Sequence, residues 1–327
     1  MKKLFNIFVV SFALVFSSSV FANKIGVVYD SGGKFDKSFN ELVFKTAERV
    51  KNELGWEMVE FESSNDAQIE QGMRKIADRG ATMIVGMGFA QADAVAAVSA
   101  DYPDIKFVAV DVCWLDDPNN NIYQACYKEH EGSFLVGMMA AMASKTGTIG
   151  FVGGMDIPLI RKFQGGYEQG AQYVNPDIEV LANMTGTTNE AWNNPTKGAE
   201  LTKAQIDGGA DVVYQAAGGT GIGVLQAAAD AGIMGIGVDA NQNWMHPGNM
   251  LTSMLKRLDL TIFAQAEAIA AGTFEPSGQF LSLGLAEGGV GYATEDGMVT
   301  DEMAAAADAA AADIASGAIV VADWSQE

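Results

Sequence analysis

The sequence predicts an α/β chain of two doubly wound parallel-sheet lobes joined by hinge strands. Short, nearly continuous apolar runs alternate with segments of helical spacing, as in parallel strands buried on both faces and linked by helices. The alternation runs through two successive series, one before and one after about residue 128. Several of the apolar runs stop at an aspartate or a glycine, where a buried strand gives way to a loop.

The first series opens with Lys24-Ile25-Gly26-Val27-Val28-Tyr29-Asp30, an apolar run closed by an acid. Helical spacing of Leu42, Val43, Thr46, Ala47 and Val50 follows over 38–54, closed by Gly55. A strand at 56–61, a helix at 66–79 ending at Gly80, a strand at 82–86, a helix at 91–100 and a strand at 106–110 ending in Asp111 complete it. The second series reads as helix 131–144, strand 148–153, helix 157–174, strand 178–184, helix 195–207 and strand 211–215. The Gly218-Gly219-Thr220-Gly221 loop, a helix to Ala231 and a strand at 233–238 ending in Asp239 follow. The tail breaks the rhythm: a strand at 250–255 returning to the first lobe, a helix at 258–271, an extended stretch at 280–285, and an Ala-rich helix capped by Thr300. A tail of this kind suits a chain that crosses between lobes more than once. The expected lobes are 23–127 with 255–283, and 128–254 with 284–327.

Residues 1–22 read as an export signal: Lys2 and Lys3, an apolar stretch at 4–15, then Val20-Phe21-Ala22 as an A-x-A-like cleavage site. That stretch is too short for a comfortable membrane span. No cysteine follows the site, so the expectation is a freely soluble periplasmic protein with no direct membrane insertion. The whole chain carries a formal charge of −21, and loss of the two leader lysines leaves 41 acids against 18 bases, or −23. Such a field opposes nucleic acid and anionic membrane surfaces, and a monomer is the default state. Cys113 and Cys126 are the only cysteines, which makes a disulfide the ordinary expectation in an oxidising compartment. With only His130 and His246 beside them, no metal or cofactor is called for.

In open α/β sheets, ligands bind beyond the carboxyl ends of the strands. The informative residues are then Asp30 with the loop to Asn40, Gly88-Phe89, Asp111, Gly153-Gly154, Gly218–Gly221, Asp239, and Lys256 after the returning strand. Each aspartate alone could simply cap a turn, Phe39 could anchor a core, and the glycine loop could be only a tight turn. Trp192 lies in a polar loop, where an indole has little structural reason to be. Enzyme readings lack their parts: no G-x-G-x-x-G follows the first strand, and neither a phosphate-binding G-x-x-x-x-G-K-[ST] nor a G-x-S-x-G elbow is present. Neither histidine sits in a nucleophile constellation, which leaves a nucleoside hydrolase as a poor alternative.

Asp36-Lys37-Ser38-Phe39-Asn40-Glu41, Gly86-Met87-Gly88-Phe89, Ala216-Ala217-Gly218-Gly219-Thr220-Gly221, Gly237-Val238-Asp239 and Thr252-Ser253-Met254-Leu255-Lys256 occur in that order. Together they resemble the BMP (basic membrane protein) family of substrate-binding proteins, over about residues 24–271. The resemblance implies a type I periplasmic-binding-protein fold that delivers a solute to an ABC transporter permease. Its PnrA-like members imply a purine nucleoside, with riboflavin or another stacked heterocycle as the alternative. Carried over by motif, Phe39 would stack on the base with Trp192 opposite. Asp111 would hold ribose hydroxyls with Gly219 and Lys256, and Asp30, Asn40 and Asp239 would contact base or sugar edges. The cysteine pair lies just after Asp111, so Trp114 is near enough to alter the pocket.

Overall fold

The structure is a computed structural model and describes residues 22–63 and 65–326. Apart from Ala22, the expected leader lies outside the described residues.

The first lobe is built from β1 (Lys24–Tyr29), α1 (Phe39–Leu54), β2 (Glu57–Glu62), α2 (Ile69–Asp78), β3 (Met83–Met87), α3 (Ala92–Asp101), β4 (Lys106–Val110) and β5 (Ile122–Tyr127). The second contains α4 (Glu129–Ala143), β6 (Thr148–Met155), α5 (Pro158–Val174), β7 (Glu179–Gly186), α6 (Pro195–Asp207), β8 (Val212–Ala216), α7 (Gly221–Asp230), β9 (Met234–Asp239) and β10 (Met250–Lys256). The tail adds α8 (Leu258–Ala271), β11 (Ser282–Leu283), β12 (Val290–Tyr292) and α9 (Asp301–Ser316).

Two six-stranded sheets result, ordered β11-β5-β4-β3-β1-β2 and β12-β10-β9-β8-β6-β7. Every pair is parallel except β10 with β12. The orders superpose term by term, so β1, β3, β4 and β5 occupy the places that β6, β8, β9 and β10 hold in the other lobe. Burial explains the strand composition: β3 and β8 are buried along their whole length, and their apolar runs have no exposed face to alternate with.

The structure differs from the sequence reading at several elements. β5 was not anticipated, because Pro118-Asn119-Asn120-Asn121 reads as continued loop and the strand mixes Gln124 with apolar residues. The helix expected from Asp66 begins at Ile69, after a single tight turn. The strand at 250–255 does not return to the first lobe: β10 pairs with β9 and β12, and Lys256 is its last residue. The return follows it, where α8 packs on α1 and Phe263 receives the Arg49 guanidinium 3.6 Å from its ring centre. Among the described residues the chain passes between the sheets after β5, after β10 and after β11. Thr300 caps α9, its hydroxyl accepting from the Met303 amide at 3.2 Å.

Candidate functional site

The carboxyl ends of the two sheets face each other across a cavity, and the lobes are closed over it. The Ser38 hydroxyl of the first lobe donates to Asp239 Oδ2 of the second at 2.6 Å, and Gln242 Nε2 donates to the Lys37 carbonyl at 3.0 Å.

The Asp36–Glu41 segment acts as one device. Asp36 accepts from the backbone amides of Ser38, Asn40 and Glu41 at 2.8, 3.0 and 3.1 Å, which satisfies the open first turn of α1. Asn40 Nδ2 donates to Asp30 Oδ1 at 2.6 Å and to Asp36 Oδ2 at 2.9 Å, and its Oδ1 accepts from the Asp30 amide at 3.1 Å. Asn40 therefore lines the cavity with both amide hydrogens already engaged, and it sets the direction of the Asp30 carboxylate. Phe39, between them, turns its ring to the cavity, as does Phe89 after the left-handed Gly88 (φ 78°).

In the second lobe, Trp192 ends a short turn after β7, and Thr185 and Thr220 hydroxyls pin the preceding carbonyl of Ala191 at 3.0 and 2.7 Å. Its indole rests on Gly154, where an added Cβ would lie 2.2 Å from a ring carbon. Gly218 supplies the adjoining wall with φ 56°. Asp111 and Asp239 occupy equivalent strand ends of the two lobes and share a left-handed backbone, φ 61° and 63°. Non-glycine residues seldom adopt it, and here it turns both carboxylates back toward the cleft.

Lys256 reaches into this carboxylate cluster at 1% exposure. Its Nζ lies 2.6 Å from Asp111 Oδ1, 2.8 Å from Asp111 Oδ2 and 2.9 Å from Glu129 Oε1. Burial opposes its charge, but Asp111, Glu129 and Asp239 outweigh that and hold the ammonium well above the usual lysine range. Burial also pushes the carboxyls up. Asp30 rises to about 6 despite the Asn40 hydrogen bond. Asp239 rises to about 7 despite Lys256 and Ser38. Asp111 and Asp36 rise for the same first reason.

Of the residues singled out in the sequence, Asp30, Phe39, Asn40, Phe89, Asp111, Trp192, Asp239 and Lys256 line one cavity. Gly219 does not. It sits where the lobes' backbones meet, and a Cβ there would lie 3.2 Å from the Trp192 carbonyl and 3.3 Å from that of Gly32, so the wall is Gly218 instead. Trp114 also lies away from the cavity, half exposed beside the Cys113–Cys126 disulfide, which ties the loop after β4 to β5. The sequence reading quotes Asp36 in its block without a role, which emerges from the amides it collects, and passes over Leu159, Ile160 and Phe163 at the start of α5. It also missed the buried Glu129. The finished cavity offers aromatic faces from both lobes, a row of acceptor carboxylates, and one cation ion-paired with Asp111 and Glu129.

Comparison with known proteins agrees with this architecture. The family described as ABC transporter substrate-binding protein, PnrA-like, matches residues 22–324. Basic membrane protein A2 of Borrelia garinii is 34% identical over 286 residues, covering 86% of this chain and 82% of its own. The ABC transporter nucleoside-binding protein BmpA of Lactococcus lactis is 31% identical, covering 91% and 88%. The crystal structure of an ABC transporter solute-binding protein from Aeropyrum pernix superposes with TM-score 0.82 at 27% identity, over 92% of this chain and 93% of that one. The two parallel-sheet lobes are the type I fold of periplasmic solute-binding proteins. Among the described residues no helix is long and apolar enough to cross a membrane. The chain belongs to the PnrA-like family of ABC transporter substrate-binding proteins.

Proposed function

We propose that this protein is the periplasmic solute-binding component of an ABC importer, exported by cleavage near Ala22, that captures a purine nucleoside by lobe closure and hands it unchanged to a permease. The observation that carries the reading is the cavity's chemistry. Phe39 from one lobe and Trp192 from the other supply flat apolar faces, while Asp30, Asp111 and Asp239 supply acceptors. A nucleobase offers π surface to the rings, and ribose hydroxyls donate to carboxylates in charge-assisted bonds. An anionic solute finds no free cation there, because Lys256 is already paired. The name of the Lactococcus lactis relative, a nucleoside-binding protein, supports the same ligand class.

The test is thermal unfolding of ligand-stripped protein against guanosine, inosine, adenosine, the free bases, riboflavin, sugars and amino acids. A ligand that binds only the native state adds about 2.7 kcal/mol at a hundredfold excess over its dissociation constant. A shift with purine nucleosides and none with free bases is the expected result. A shift with riboflavin or sugars alone would overturn the ligand and keep the transport role. Phe39→Ala is expected to weaken nucleoside binding by about 1–3 kcal/mol, the contribution of one stacking face. Isothermal titration would read this as a loss of affinity at unchanged stoichiometry.

A further inference from the structure

Glu129 is wholly buried, lies outside the cavity wall, and touches the one cation the wall contains. It stands at the start of α4, directly after the chain leaves β5 for the second lobe. An ammonium has three hydrogens. Nζ donates one of them to Asp111 Oδ2 at 2.8 Å and stands in ion-pair contact with Asp111 Oδ1 at 2.6 Å and Glu129 Oε1 at 2.9 Å, with no directed hydrogen bond to either of the last two. The other Glu129 oxygen lies 3.5 Å from Lys162 Nζ, which donates to the Tyr127 carbonyl at 3.2 Å and stands 3.7 Å from Asp323. Charges thus alternate from the cavity to the C-terminal segment: Asp111, Lys256, Glu129, Lys162, Asp323.

A buried ion pair of this kind adds little net stability over a well-packed apolar pair, because desolvating the ions offsets their attraction. What it supplies is geometry. A lysine is a flexible chain carrying a point charge, and with Asp111 as its sole partner it could swing around that carboxylate. We propose that Glu129 is a positioning residue for ligand binding: its carboxylate, in ion-pair contact with Lys256 at 2.9 Å, holds the ammonium against Asp111, whose remaining lone pairs then face the ligand. The inference rests on the reading that Asp111 receives ligand hydroxyls.

Two variants separate positioning from bulk stabilisation. Glu129→Asp keeps the charge and withdraws it by one methylene, and Glu129→Gln with Lys162→Gln removes one charge of each sign from the same contact. Each is titrated with guanosine and melted beside the wild type. The expected result is melting close to wild type, with guanosine affinity lowered about tenfold or more in both. Affinity within about twofold of wild type in either folded variant would overturn the proposal. A ligand-free readout stands beside it. The Lys256 ammonium, labelled with nitrogen-15 and assigned by its proximity to the Phe39 and Tyr127 rings at 5.5 and 5.1 Å, is expected to exchange slowly in the wild type and rapidly in the double variant. Slow exchange persisting in the double variant overturns the proposal whether or not guanosine binds. A wild type that shows the slow ammonium but ignores guanosine contradicts the ligand reading alone.

Discussion

Lys256→Met is expected to lower the unfolding free energy by about 3–5 kcal/mol and to abolish measurable ligand binding. Methionine fills most of the volume, so the loss is electrostatic rather than a cavity. Asp111 and Glu129 each lie within 3 Å of the ammonium, at 2.6 and 2.9 Å. Removing it leaves two buried carboxylates sharing an apolar junction, with only Lys162 beside Glu129. The same deletion frees Asp111 from its clamp, so ligand affinity and stability fall together. Urea unfolding at two pH values checks the cause. Burial already raises Asp111, and without its cation the folded state binds that proton more tightly than the unfolded state does. The folded variant then holds more protons, so its deficit widens as pH rises and narrows toward pH 5. A loss below about 1 kcal/mol, unchanged with pH, would mean that the cluster is not desolvated as its burial indicates.

The alternation of apolar runs and helical spacing was legible because buried parallel strands have no exposed face to blur the pattern. So were Asp30, Asp111 and Asp239, since an acid directly after an apolar run marks the carboxyl end of a strand. What stayed hidden has physical reasons. β12 is three residues long, too short to show any period. β5 mixes Gln124 with apolar residues, and its sequence reads as part of the preceding turn. Glu129 stands in Lys128-Glu129-His130-Glu131, which reads as a solvated helix start. Nothing local distinguishes a carboxylate facing water from one facing a lysine well over a hundred residues away. Gly218 rather than Gly219 lines the cavity, and a glycine run does not say which member turns left-handed and which lies between backbones. The segment after Asp111 misled differently: a tryptophan next to a candidate ligand carboxylate looks like pocket wall, yet the backbone turns Trp114 outward.

Acidification from pH 7.5 to 5 is expected to stabilise the ligand-free protein and to weaken its grip on a nucleoside, two opposite effects of the same protons. Asp30 and Asp239 rise from 3.8 to about 6 and about 7 on folding. A carboxyl raised in the folded state binds more protons folded than unfolded across that window. Its contribution is fully present below the unfolded value and is lost as pH rises through the folded one. Together the two contribute roughly 2–4 kcal/mol of unfolding free energy at pH 5 relative to pH 7.5. Burial holds His130 and His246 below the usual imidazole range, and they act the other way as pH falls past 6.5. Asp239→Asn isolates the carboxyl: it keeps an acceptor for the Ser38 hydroxyl, removes the titration, and is expected to flatten most of the slope in urea unfolding. For the ligand the sign reverses, because only an ionised carboxylate accepts freely from a hydroxyl or ring N–H. Protonating Asp239 and Asp30 turns two acceptors partly into donors, so calorimetric affinity falls with pH while the empty protein grows more stable. If both quantities rose on acidification, the carboxylates would not be the ligand's acceptors. If neither moved, the two acids would be solvated in the closed form, and the cleft would be wetter than its burial shows.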